Sequence, residues 1–152
     1  MVSFALSEEQ QMLEAMTREF VANEVIPQAE HHDRDGLYPT EVAAKAFELG
    51  LMNITIPDAY GGGDLGHMEE AIITEEIAYG CAGMAISMTV NNLSSVPIQI
   101  GGTEEQKQKW IKKKCHISRG DCEHVLALDE FKAVTHAVDK KHVFAEAVQL
   151  KK

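Results

Sequence analysis

"PDAYGGGDLGHMEEA", Pro57 to Ala71, places Gly61, Gly63 and Gly66 at the spacing of a phosphate-cradling glycine loop, with a helix-like run directly behind them. A dinucleotide site of that form needs a strand before the glycines, a helix after them, and an acidic residue about twenty positions further on for the ribose. The helix is there. The strand is not, because Pro57 interrupts the approach and Ile54 and Ile56 alternate around Thr55 for too few residues. The acidic position falls near Cys81, and Asp64 inside the loop would repel a pyrophosphate. The glycines therefore read as a turn between an extended connector and a helix.

On both sides of this turn the pattern is helical. Ser7 followed by Gln10 is a capping box, in which each side chain satisfies an orphan backbone donor at a helix start. Leu13, Met16 and Phe20 recur behind it at helical spacing, with Met12 and Val21 widening the stripe. That helix should end or kink near Pro27, and "HHDRDG", His31 to Gly36, reads as a turn. Pro39 suits the first turn of a second helix, which runs through "TEVAAKAFELG" to a terminating Gly50.

A third helix is expected from His67 to Tyr79. Its Glu69, Glu70, Glu75 and Glu76 read as a solvated face, two of them favoured by the dipole at the first turn. A fourth, from Ala82 to Ser95, has no charge on any side, so protein or ligand must surround it. Thr103 with Gln106 caps a fifth, which carries Trp110 and Ile111 inward and ends in the cluster Lys107, Lys109, Lys112, Lys113 and Lys114. The fold class is all-α, an up-down bundle of about five helices.

A formal charge of −10 disfavours a nucleic-acid partner, since such binding relies on clustered Lys and Arg neutralising phosphates. The uncharged run Ile77 to Thr103 is long enough to invite a membrane reading. Gly80, Gly83, Asn91, Asn92, Ser94, Ser95, Pro97 and Gln99 within it argue instead for a buried helix, so no membrane span is expected. Three cysteines are too few for a disulfide framework. No signal peptide or Arg-rich presequence precedes Phe4, which leaves a cytoplasmic chain or one whose organelle-targeting segment is missing.

Composition changes at Cys115. Residues 1–114 hold 8 Lys and Arg against 18 Asp and Glu, whereas residues 115–152 hold 6 against 6, so the negative charge belongs to the first part. Two units follow: a helical domain over 1–114 and a divergent tail over 115–152, weakly helical or disordered. Cys115, His116, Cys122 and His124 are four potential zinc ligands, but their spacing matches no standard module, and no metal site is assigned. Leu128, Phe131, Val134 and Val138 keep a helical spacing in the tail, and an altered reading frame or splice end is the alternative origin of the segment.

"GLMNITIPDAYGGGDLG", "EEIAYGCAG" and "GGTEEQKQKW" resemble, in order and spacing, the N-terminal helical domain of the acyl-CoA dehydrogenase family, nearest to its medium- and short-chain members. The resemblance runs from Phe4 to Lys114. It implies an FAD-dependent enzyme of fatty acid β-oxidation that removes an α-proton and a β-hydride from a fatty acyl-CoA thioester. It also implies electron-transferring flavoprotein as the acceptor and the mitochondrial matrix as the location. In the family this domain supplies one wall of the acyl channel, chiefly from the helix after the "AYGCAG" motif. Carried onto this sequence, Ala85, Thr89 and Leu93, at successive steps of four, line the acyl chain.

The sequence also departs from the family. Nothing here has the form Cys-x-x-Glu-Pro-x-x-Gly-Ser-Asp, the segment that contacts flavin and substrate, and no glutamate can be assigned as the catalytic base. No catalytic or cofactor-binding residue is therefore named, and the chain alone is expected to be inactive and without bound FAD. Three functions remain: a fragment or truncated isoform of the enzyme, a non-catalytic helical protein that binds acyl chains or pairs with full-length subunits, and a metal-binding protein through the tail.

Overall fold

The computed structural model describes residues 5–117, and all regular structure among them is helical. Helix α1 spans Glu8–Phe20 and opens on the expected capping box: the Gln10 amide N–H donates to Ser7 Oγ at 3.1 Å, and the Ser7 N–H donates to Gln10 Oε1 at 3.0 Å. The chain does not stop at Pro27. A π-helical segment, Val21–Val25, carries α1 into α2, Ile26–Asp35, and Pro27 sits in the first turn of α2, where its missing N–H costs nothing.

The turn expected over His31 to Gly36 is corrected accordingly. His31 to Asp35 form the last turn of α2, and only Gly36 leaves the helix, with φ +64. Helix α3, Thr40–Glu48, follows Pro39 and ends before Gly50, whose φ of +75 suits a residue without a Cβ.

The connector from Leu51 to Pro57 is also not extended. Asn53 adopts φ +56 and its carbonyl accepts from the Ile56 N–H, which folds the segment into a turn. Leu51, Met52, Ile54 and Ile56 are nevertheless all buried. The apolar alternation came from a coiled segment pushed into the core, which periodicity over so few residues cannot distinguish from a strand.

A single 3-10 turn, Asp58–Tyr60, precedes the glycine loop, and α4 runs from His67 to Gly80. Helix α5 is longer than the sequence pattern predicted: it covers Ala82–Gly101 and passes through Pro97. An interior proline loses the donor to the carbonyl four residues back and crowds that carbonyl, and the burial of Ser95 and Ile98 on either side of it holds the helix together. Thr103 and Gln106 form the second capping box, and α6 spans Glu104–Ile117, three residues beyond Lys114. Taking α1 and α2 as one bent rod gives five helical rods.

The main core joins Phe20, Val21 and Val25, Val42 and Ala46 of α3, Leu51 and Ile54, Ile73 and Ile77 of α4, and Met84, Ala85 and Met88 of α5. A smaller one joins Ile56, Ile98 and Ile111, with Tyr60 and Trp110 packed against it. Helices α1 and α4 lie side by side in the same direction, tied by Gln10 to Glu69 at one end and Arg18 to Glu76 at the other. Helices α4 and α5 are antiparallel, since Asn92 donates to Glu70 and the two residues lie eleven positions on either side of Cys81. The close approach at the α4 end requires Gly80: a Cβ there would sit 2.6 Å from Val21 Cγ1 and 3.1 Å from Val25 Cγ1. No helix among the described residues is long and apolar enough to cross a membrane. The zinc-ligand reading of the tail and its expected helix from Leu128 lie outside the described side chains.

Candidate functional site

The glycine loop can be judged first. Its backbone donors from Gly61 to Leu65 are already used: Gly61 N–H on the Asp58 carbonyl, Gly62 on Pro57, Gly63 on Asn53, Asp64 on Ile56 and Leu65 on Ile54. A Cβ at Gly62 would fall 2.1 Å from the Ile56 carbonyl oxygen, and one at Gly63 would lie 3.1 Å from that of Ile54. A phosphate cradle needs free N–H groups facing outward. This loop closes on its own connector, so it does not fit the pyrophosphate of FAD or of any dinucleotide. Its glycines serve a tight backbone crossing.

The charge-free helix α5 is the other candidate. At about 100° per residue its sides separate cleanly. Met88, Asn92, Ser95 and Ile98 point inward toward α4 and α6. Ile86, Leu93 and Ile100 point outward and are 69 %, 75 % and 74 % exposed. Three hydroxyls of the helix turn back onto its backbone: Ser87 Oγ donates to the Gly83 carbonyl at 2.9 Å, Thr89 Oγ1 to that of Ala85 at 2.8 Å, and Ser95 Oγ to that of Asn92 at 2.8 Å. Such back-bonding hides the hydroxyls and leaves methyl and methylene surface outside.

The three residues singled out in the sequence do not share one environment. Ala85 is 2 % exposed and packs in the main core, Thr89 is half-buried at the edge, and Leu93 stands in the open. Steps of four on a helix drift by about 40° each, which carries the row from the core to the surface over two steps. Steps of seven drift by only about 20° the other way. The outward row is therefore Ile86, Leu93 and Ile100, and its spacing was present in the sequence although its exposure was not.

A cavity of about 320 Å³ lies at the α5 N-terminus between Leu37, Tyr38, Met84 and Ser87, on the flank away from Thr89. Ligand sites bury most of their ligand in a concavity. The outer face of α5 can serve as one wall and needs a second surface opposite.

A family profile described as acyl-CoA dehydrogenase, N-terminal domain, matches residues 7–117. The chain belongs to the acyl-CoA dehydrogenase family, through its N-terminal domain. The short-chain specific acyl-CoA dehydrogenase, mitochondrial, of Rattus norvegicus is 37 % identical over 129 residues, 84 % of this chain and 31 % of that protein. The probable medium-chain specific acyl-CoA dehydrogenase 2, mitochondrial, of Caenorhabditis briggsae is 36 % identical over 110 residues, 72 % of this chain and 27 % of its own length. Among solved structures, the glutaryl-coenzyme A dehydrogenase glutaryl-CoA complex matches with a TM-score of 0.69 and 33 % identity, covering 75 % of this chain and 30 % of the other. The chain thus spans less than a third of the length of these relatives. The similarity to the rat protein covers more of the chain than residues 1–117 can supply, so it continues past the compositional seam at Cys115.

Proposed function

We propose that this chain supplies the N-terminal helical domain of an FAD-dependent acyl-CoA dehydrogenase acting in fatty acid β-oxidation in the mitochondrial matrix, with electron-transferring flavoprotein as electron acceptor. In this reading α5 forms one wall of the acyl channel. Thr89 and Leu93 face the chain, and Ala85 beneath them keeps the helix close to the core. The observation that carries the proposal is a 20-residue helix without a charge whose outer aliphatic row stays uncovered within a domain of this family. An acyl chain is matched by such a surface because it offers methylenes to exclude water and no donor or acceptor that would be left unpaired.

The wall binds and orients; it does not react. Removing an α-proton needs a positioned base, and FAD would be the hydride acceptor of the reaction. The described residues are assigned neither part, so the chain alone is proposed to be catalytically silent. Recording the visible spectrum of the purified protein and its acyl-CoA-dependent dye reduction tests this: a flavin spectrum with turnover would overturn the silent reading. In a full-length relative carrying this helix, Thr89→Trp should shorten the preferred acyl chain. An unchanged preference would remove α5 from the channel wall.

The exposure of Ile86, Leu93 and Ile100 also favours a second reading, a non-catalytic helical protein that binds acyl chains or pairs with full-length subunits. Co-expression with a full-length relative tests it, and failure of the two to co-purify would count against pairing.

A further inference from the structure

Helix α5 lacks the feature that ordinarily decides which side of a helix turns inward. A surface helix is oriented by a polar face that stays in water. Here both sides are aliphatic, with Met88 and Ile98 inside and Ile86, Leu93 and Ile100 outside. Burial of apolar area is non-directional, and the buried Met84 and Met88 are unbranched side chains that repack readily. Apolar packing alone would let α5 roll about its axis.

Asn92 supplies a directed contact on the inner side. It is 2 % exposed, and its Nδ2 donates at 2.8 Å to Oε1 of Glu70 in the first turn of α4. The other carboxylate oxygen, Oε2, lies 3.2 Å from His67 Nδ1, so Glu70 is also held from its own helix. Asn92 Oδ1 is buried with no hydrogen-bond partner among the described residues. An orphaned buried acceptor costs about as much as a charge-assisted hydrogen bond returns, so the amide adds little net stability. A leucine has nearly the same shape and would be buried without that penalty. What the asparagine adds is direction: a roll that parts the pair leaves Nδ2 unpaired as well, so one rotation of the helix is favoured over its neighbours.

We propose that Asn92 and Glu70 are positioning residues that lock the roll of α5 and thereby decide which side chains the helix presents to the acyl chain. At 100° per residue, Leu93 lies about 100° around the axis from Asn92, with Thr89 at about 60° and Val90 at about 160°. Thr89 and Val90, both half-buried, therefore flank the outward sector on opposite sides at nearly the same height. A roll in either direction covers one and uncovers the other. The consequence for acyl-chain length rests on the acyl-wall reading of α5; the lock itself does not.

Thiol labelling of the full chain reads the roll, in a background of Cys81→Ala, Cys115→Ser and Cys122→Ser with a single cysteine at Thr89 or Val90. Asn92→Leu should speed one of these and slow the other, changing the ratio of their rates at least ~5-fold, with no fall in the urea midpoint. Glu70→Ala should shift the ratio in the same sense, and combining the two changes should add little, because each removes the same bond. Glu70→Gln keeps an oxygen acceptor for Asn92 Nδ2 and should hold the ratio within ~2-fold of the parent. Far-UV circular dichroism confirms that the variants fold, and Glu70→Ala carries the test if Asn92→Leu does not. Loosening of the helix would speed both cysteines; that result, or an unchanged ratio, would overturn the lock.

In a full-length relative carrying α4 and α5 of this chain, Asn92→Leu should change the ratio of kcat/KM for two acyl lengths at least ~5-fold, and Glu70→Gln should leave it within ~2-fold. A shifted labelling ratio with an unchanged length preference would uphold the lock and remove α5 from the channel wall. An unchanged labelling ratio would overturn the lock whatever the preference does.

Discussion

The inner and outer faces of α5 differ little in composition and completely in surroundings. Met88 and Ile98 are buried against neighbouring helices, whereas Ile86, Leu93 and Ile100, no less apolar, face outward. The difference teaches that absence of charge tells how much of a helix is to be covered, not by what. The inner face is matched by α4 and α6 within the domain. The outer face is left uncovered by the described residues, and the acyl-channel proposal is one account of what covers it.

The contrast can be broken most forcefully from inside. Met88→Ala removes a fully buried side chain at the centre of the main core and should lower the unfolding free energy by about 2–5 kcal/mol in urea titration. A loss no larger than that of an exposed residue would mean the inner face is not packed as described. Gly80→Ala comes next: the new Cβ meets Val21 and Val25, whose branched side chains have little room to turn, and about 1–3 kcal/mol should be lost.

Thr103→Ala removes the side-chain half of the second capping box and should loosen α6 over Ile98 by about 1 kcal/mol, read in the same titration. On the outer face, Leu93→Ala should change stability by less than about 0.5 kcal/mol, since the side chain is 75 % exposed among the described residues. A larger loss would mean the outer face is covered after all.

The smallest expected effect concerns pH. The Glu69 carboxyl is held below the usual carboxylate value, first by the bond from Gln10 Nε2 at 2.9 Å and then by backbone N–H donors at the start of α4. A carboxylate with a lowered folded-state pKa stabilises the protein above its unfolded value of about 4.3, and that contribution is lost as pH falls through the lowered value. Gln10→Leu should therefore raise the Glu69 pKa, measured by NMR titration, and flatten the acid limb of the stability profile. No change in that pKa would remove Gln10 as the principal cause.

Much of this was legible in the residues. Ser7 with Gln10 and Thr103 with Gln106 marked two helix starts correctly, because a capping box is a local device whose partners lie three residues apart. The glycines also read as a turn, and the N–H groups from Gly61 to Leu65 bond back onto the Asn53–Asp58 connector as a turn requires. What misled was non-local. The sequence pattern ends or kinks the first helix near Pro27 and stops the fourth at Ser95, yet helix continues through Pro27 by way of a π segment and past Ser95 through Pro97 to Gly101. His31 to Asp35 looked like a turn because their polarity fits one, although they complete a solvent-facing helical turn.

The row Ala85, Thr89 and Leu93 marks the boundary between the two kinds of knowledge. Sequence by itself determined that α5 is a helix, that it carries no charge, that its apolar residues recur both at four and at seven, and that the chain resembles the acyl-CoA dehydrogenases. Periodicity fixes angles around a helix axis but not the zero from which they are measured. Only the tertiary structure set that zero, by docking Met88 and Asn92 on α4 and Ile98 on α6. That rotation buries Ala85, leaves Thr89 at the edge, and turns Ile86, Leu93 and Ile100 outward.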